Sequence, residues 1–331
     1  MDTVPITQIS RVSTVDQPPA RTLVPPEIGP YRIGRTLGRG GMADVHRAEH
    51  QETGAEVALK VMRPLRAGQR ATFECFENEV AVMRALKHPN IAGLLDDGID
   101  AGTGLLYLAM PLVRGRSLRQ LINEVRLVPA RLRAEVASRR LFPLFFQLCE
   151  AVGHAHAQGI LHRDLKPGNV LVDDAGHVTL LDWGVSCPIA PAATRRHWKR
   201  LSSQRERRAR PRFGGTPGYM SPEQIQEHPF TQDERSDIWS LGAILFELVA
   251  FNRLVGGENS AELLSRTLVG DVREPSAEDR FEGHAAALEP VIAQAIATEP
   301  TARFSTVDGF VHAVRLALEA SGGTEADAAV A

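Results

Sequence analysis

The 331-residue sequence predicts an α+β chain in two unequal lobes, a small antiparallel β-sheet lobe with one helix followed by a larger, mainly helical lobe. Three observations predict it. Residues 31–62 are short runs with apolar alternation broken by glycines, the pattern of a meander. One stretch of helical spacing follows, with Phe73, Phe76, Val80 and Met83 three or four residues apart. Beyond Gly115 the periodicity turns mainly helical.

Residues 1–30 contain Pro5, Pro18, Pro19, Pro25, Pro26 and Pro30 with little apolar periodicity, so a disordered or extended lead-in is expected and the fold should begin near Tyr31. Strands are expected over 31–37, 44–50 and 56–62. The helix through Phe76 should end near Lys87, before Pro89. A further strand at 105–113 completes a first lobe of residues 31–113, and Gly115 opens a linker. The second lobe, 116–317, contains a helix over 141–158 stopped by Gly159 and another over 237–249, apolar nearly all round and therefore buried. Between them, the segments 169–172 and 178–181 are joined by Asp173-Asp174-Ala175-Gly176, which suits a hairpin. An Ala- and Gly-rich tail, 318–331, should be flexible.

Composition removes several classes of protein. A net charge of −2 gives no general attraction to nucleic acid or membrane. Cys75, Cys149 and Cys187 have neither metal-ligand spacing nor an even count, which points to a reducing compartment. No secretory signal is visible, and the most apolar stretch, 238–251, is too short to span a bilayer. A soluble cytoplasmic protein with no membrane span is the expectation.

The chemistry lies in short, spaced motifs. Gly38-Arg39-Gly40-Gly41-Met42-Ala43 joins two strands, which disfavours a dinucleotide-binding βαβ unit and leaves a flap whose backbone amides can approach phosphates. Val57-Ala58-Leu59-Lys60 puts an ammonium group beneath that flap. Glu79 sits beside the inward stripe of its helix and needs a cationic partner. Lys60 is the natural one, which the glutamate would orient toward the α- and β-phosphates. The non-periodic loop His162-Arg163-Asp164-Leu165-Lys166-Pro167-Gly168-Asn169 packs several polar groups at fixed spacing. Asp164 can orient a hydroxyl and accept its proton, Lys166 can offset charge on a moving phosphoryl group, and Asn169 offers an oxygen to magnesium. Asp182-Trp183-Gly184 adds a carboxylate for a metal bridging the β- and γ-phosphates.

Taken in order, the glycine loop, Val-Ala-Leu-Lys, His-Arg-Asp, Asp-Trp-Gly and Ser221-Pro222-Glu223 resemble the protein kinase family over about residues 31–317. The resemblance implies the bilobal protein kinase fold, with ATP as co-substrate and Mg2+ (or Mn2+). It implies a nucleotide site running through Leu37, Gly38, Arg39, Gly40, Gly41, Met42, Ala43, Asp44 and Val45, together with Lys60 and Glu79. Leu37, Val45, Ala58 and Leu171 would wall the adenine slot and Met110 resembles the gatekeeper. The Pro111 carbonyl and the Val113 amide and carbonyl would face the adenine edge. Catalytic roles would fall to Asp164, Lys166 and Thr216, and metal binding to Asn169 and Asp182. Asp237 resembles the aspartate that braces the catalytic loop, and Glu223 with Arg303 the buried pair that holds the substrate-binding loop.

Lys166 two residues after Asp164, with Gly215-Thr216-Pro217-Gly218-Tyr219, resembles the serine/threonine class. The implied partner is a protein presenting Ser or Thr, with self-phosphorylation in trans as part of a signalling role. The phrases Gly40-Gly41-Met42-Ala43 and Gly218-Tyr219-Met220-Ser221-Pro222-Glu223-Gln224 are similar to bacterial members. Ala43 stands where glycine is usual and Trp183 where phenylalanine is usual. Neither removes a catalytic group.

Residues 188–213 read as a basic insertion in the activation segment, with nine Lys or Arg between 194 and 212 opposed only by Glu206; such density cannot form a core, so a mobile, solvated stretch is expected, with regulation by phosphorylation as the sharper reading. Thr194, Ser202 and Ser203 are candidate phosphate acceptors for Arg163 to clamp. Three other readings compete. An ATP-binding scaffold without transfer is weakened by the presence of Lys60, Glu79, Asp164, Lys166, Asn169 and Asp182. A small-molecule phosphotransferase is opposed by Thr216 and Ser221-Pro222-Glu223. A nucleic-acid binder rests on the basic insertion alone and is not expected.

Overall fold

A computed structural model describes residues 25–41, 43–63, 69–189, 214–226, 232–273 and 284–321. The lead-in through residue 24, Met42, the insertion over 190–213 with Thr194, Ser202 and Ser203, and the tail from 322 lie outside the described residues.

The first lobe is a six-stranded antiparallel sheet with one helix. Its strands are β1 (Glu27–Ile28), β2 (Tyr31–Arg39), β3 (Ala43–His50) and β4 (Glu56–Met62), then helix α1 (Gln69–Ala85), then β5 (Asp96–Ile99) and β6 (Leu106–Pro111). The strand order is β1-β2-β3-β4-β6-β5. Alternation divides its side chains between two faces. Ala48, Val57, Leu59, Val61, Tyr107 and Ala109 join Ile28 and Tyr31 in one cluster, whereas Ala43, Met62, Leu108 and Leu106 meet Phe76 and Val80 of α1 in another.

The fold starts upstream of the expected boundary at Tyr31. Ile28 is fully buried, Glu27 pairs with Arg32, and the Gly29 N–H donates to Asp100 Oδ1 at 3.0 Å. A short apolar residue between prolines carries no periodicity, yet it seals one face of the sheet.

The second lobe continues with β7 (Gly115–Ser117), α2 (Leu118–Arg126), α3 (Ala130–Arg140), α4 (Phe142–Ala157), β8 (Ile160–Leu161), β9 (Val170–Asp173), β10 (Val178–Leu180), β11 (Cys187–Pro188), α5 (Pro222–Ile225), α6 (Glu234–Ala250), α7 (Ser260–Val269), α8 (His284–Ala295) and α9 (Val307–Ala320). Gly115, read as the opening of a linker, instead begins β7 against β9, where an added Cβ would run into the Val172 carbonyl oxygen. Only glycine permits that approach. Ser117 and Gln120 form a capping box that starts α2, whose Leu118, Leu121, Ile122 and Val125 are buried at helical spacing. Helix α6 is capped by Asp233 and is buried at every residue from 236 to 250. Its apolar circumference leaves it no solvent face, as the sequence suggests.

Candidate active site

The sheet delivers the lysine. Val45 lies opposite Lys60 and Ala58 opposite Met110, and directly paired residues share a face, so Val45, Ala58, Lys60 and Met110 line one side of the sheet. Gly38 pairs with Val45, while Leu37 is 41% exposed at the bulged end of β2. No atom lies within 4 Å of a Cβ built on Gly38 or Gly41, so the flap has open space beneath it. By alternation Asp44 turns the other way and is held by the Arg63 guanidinium, with Arg63 Nε donating to Asp44 Oδ2 at 2.9 Å. Pro111 ends β6 and is exposed, Val113 is half-buried beyond it, and Leu171 is half-buried on β9.

Helix α1 delivers Glu79, which is 1% exposed. Lys60 Nζ donates to Glu79 Oε1 at 2.6 Å and to Asp182 Oδ1 at 2.8 Å. Burial works to lower the Lys60 pKa, but the two carboxylates outweigh it and raise it. The Lys60 ammonium pulls the Asp182 carboxyl down to about 2. Burial raises the Glu79 carboxyl, with Lys60 opposing. One ammonium therefore faces two carboxylates, and Gly184 fits tightly among them: a Cβ there would lie 3.2 Å from Glu79 Oε2 and 3.6 Å from Lys60 Nζ.

The loop between β8 and β9 gathers Asp164, Lys166 and Asn169. Thr216 Oγ1 donates to Asp164 Oδ1 at 2.6 Å, and Lys166 Nζ donates to Asp164 Oδ2 at 2.7 Å and to Thr216 Oγ1 at 2.6 Å. Asn169 Nδ2 donates to the Asp164 carbonyl at 2.9 Å and to Asp164 Oδ2 at 3.1 Å. With its amide nitrogen so engaged, Asn169 has its side-chain oxygen left as an acceptor. The Leu181 N–H donates to the Asn169 carbonyl at 2.8 Å, which brings Asp182 alongside. Asn169 and Asp182 are the residues that would hold Mg2+: both offer hard oxygen atoms, and the excess negative charge around Lys60 suits a divalent cation.

Asp237 supports this loop from α6. It accepts from the His162 and Arg163 main-chain N–H groups at 2.9 Å each and from His156 Nε2 at 2.8 Å. Burial pushes its carboxyl up, but His156 and the loop amides outweigh that and hold it below the ordinary value. The Arg163 backbone is left-handed, at φ 67°. Nothing in the sequence singles out His156, because its carboxylate partner lies 81 residues away.

Arg303 grips Glu223 with two bonds, at 2.8 and 2.9 Å, and its guanidinium stacks over the Trp239 ring at 5.0 Å. A second buried cluster, Arg119, Tyr219 and Glu247, ties α2 and α6 to the segment after Thr216, with the Tyr219 hydroxyl donating to Glu247 Oε2 at 2.7 Å. Sequence reasoning did not single it out, since each residue lies in a different element and is ordinary there. Trp183 is fully buried against His162, ring centroids 4.5 Å apart.

A lysine–glutamate pair in a sheet lobe, facing a loop aspartate and a second, metal-suited aspartate in a helical lobe, is the arrangement of a protein kinase domain. The sequence profile described as Protein kinase domain matches residues 31–314, and the chain belongs to this family. It is similar to CBL-interacting protein kinase 19 of Oryza sativa subsp. japonica, 34% identical over 248 residues that make up 75% of this chain and 44% of that protein. It is also similar to Serine/threonine-protein kinase PknB of Mycobacterium tuberculosis, 30% identical over 278 residues, 83% of this chain and 41% of that protein. The chain thus spans less than half the length of these relatives. Plant and bacterial proteins match it alike, so the likeness of its phrases to bacterial members does not set its origin. No helix among the described residues is long and apolar enough to cross a membrane.

Proposed function

We propose that the chain transfers the γ-phosphoryl group of ATP to Ser or Thr hydroxyls of proteins. One observation carries the reading: the Asp164 carboxylate is held between Thr216, Lys166 and Asn169, in a loop suspended from Asp237. A carboxylate fixed in this way can orient a hydroxyl and take its proton as the new bond forms. Lys166 offsets charge on the transferring group, and Thr216 links the catalytic loop to the segment that would present a peptide. Lys60, oriented by Glu79, would hold the α- and β-phosphates, and the face formed by Val45, Ala58 and Met110, with Leu37 and Leu171, would receive the adenine. Asn169 and Asp182 would hold Mg2+, which would supply positive charge to offset that of the phosphates.

The names of the relatives, both protein kinases and one a serine/threonine-protein kinase, support the same reading. Self-phosphorylation in trans and a signalling role belong to it, and Cys75, Cys149 and Cys187, none of them in a disulfide among the described residues, suit a reducing, cytoplasmic setting. The test is transfer from radiolabelled ATP with magnesium to the protein itself and to a basic protein substrate, comparing wild type with Asp164→Asn. Label from wild type alone supports the assignment. Nucleotide binding without label from either would favour a scaffold.

A further inference from the structure

Helix α1 reaches the Asp182 segment by a second, neutral route. Asn78, the residue before Glu79, donates from Nδ2 to the Ser186 carbonyl oxygen at 3.0 Å and lies 3.4 Å from Ser186 Oγ. Ser186 is 2% exposed and folds back on Trp183, donating to the Trp183 carbonyl through its N–H at 3.1 Å and its hydroxyl at 2.7 Å. Arg163 Nη1 donates to the intervening Val185 carbonyl at 3.1 Å. The turn 182–186 is therefore held at Asp182 by Lys60, at Val185 by the catalytic loop, and at Ser186 by α1.

Consecutive helical residues point about 100° apart. Glu79 and Asn78 accordingly grip opposite ends of the same turn, one through Lys60 and one directly. The lysine is a flexible point charge, so its pairing with Glu79 tolerates rotation of the helix. An amide bonded to a main-chain carbonyl has one favourable direction and sets the helix rotation.

We infer that Asn78 is a positioning residue for phosphoryl transfer: its amide makes the inward placement of α1, and with it the Lys60–Glu79 pair, depend on the formed 182–186 turn. This rests on the kinase reading above. The helix and the metal-side aspartate then move as one unit, and a disturbance at either is felt at the other.

Two variants test it. Asn78→Leu is close in volume and cannot donate, whereas Asn78→Asp donates only when protonated. The charged groups around the junction, Lys60, Glu79, Asp182 and Arg163, are common to all three proteins, so ratios to wild type isolate the altered side chain. Asn78→Leu is expected to lose roughly tenfold in kcat/KM for ATP at every pH from 5.5 to 8. Asn78→Asp should lose more than that throughout the same range, because its carboxylate stays charged there, cannot donate and repels the Ser186 carbonyl. Hydrogen exchange on the same proteins should quicken in α1 and in 182–186 together, with α9 unchanged as a control for folding. Unchanged exchange in both segments, or a loss in Asn78→Asp no greater than that in Asn78→Leu, overturns the inference. If wild type transfers no phosphate the kinase reading falls, and the exchange measurement alone decides the role of Asn78.

Discussion

The Thr216 hydroxyl lies 2.6 Å from Asp164 Oδ1 although fifty-two residues separate the two in the chain. The same hydroxyl accepts from Lys166, so it is satisfied on both sides and bridges the two groups proposed to act on substrate. Thr216→Val keeps the shape but strips Asp164 Oδ1 of its donor. A fall in kcat of roughly tenfold or more is expected in steady-state kinetics, with Thr216→Ser retaining most of the rate. Equal rates for wild type and Thr216→Val would remove Thr216 from the site.

Arg303 is fully buried with Glu223, and the pair has no access to water if one member is removed. Burial pushes the Glu223 carboxyl up, but the Arg303 guanidinium and Ser236 hydroxyl hold it below the ordinary value. Arg303→Met should cost about 3–5 kcal/mol in urea unfolding, because it strands a buried carboxylate. The double variant Arg303→Met with Glu223→Gln should recover part of that loss.

Asp182 couples stability to acid. Its carboxyl titrates at about 2 in the folded chain, below its ordinary 3.8, so its contribution is present above about pH 4 and is lost as the pH falls toward 2. Melting temperatures followed from pH 5 to pH 2 should drop more steeply for wild type than for Asp182→Asn. Parallel curves would mean that Lys60 does not stabilise the charged form.

Gly29 adopts φ 54°, and a Cβ there would lie 2.8 Å from the Tyr107 ring. Gly29→Ala combines a left-handed backbone with a clash and is expected to lower stability by about 1–3 kcal/mol. Chains beginning at Tyr31 should lose more, since Ile28 would leave the sheet. Thermal unfolding of both variants checks this.

What was legible in the sequence follows from how each feature is encoded. Strands β2 to β4, helix α1 and the buried α6 announce themselves by periodicity, because each must hide one face or all of its surface. Lys60, Asp164, Lys166, Asn169 and Asp182 sit in dense local motifs, so their grouping could be expected before their positions were known. The anchor at Ile28 is two residues long and has no period to read. His156, Asn78 and Arg119 are single polar residues on otherwise regular helices. Their partners, Asp237, Ser186 and Glu247, are supplied only by tertiary packing. The opposite orientation of Asp44 follows from the register of β3, which the glycine-rich phrase beside it conceals.

Asp237 has a consequence for how the chain comes into being. The loop at His162 hangs from a carboxylate 75 residues further along, on a helix with no exposed side from 236 to 250. During synthesis the loop leaves the ribosome well before its support, by roughly 4–15 s at ordinary elongation rates. Through that interval the amides of His162 and Arg163 lack their acceptor, and the apolar residues of α4 lack the helix they pack against. The nascent second lobe therefore passes through a stage of exposed hydrophobic surface that no rearrangement of the first lobe can shorten, and slower translation between residues 162 and 250 would lengthen its dependence on chaperones.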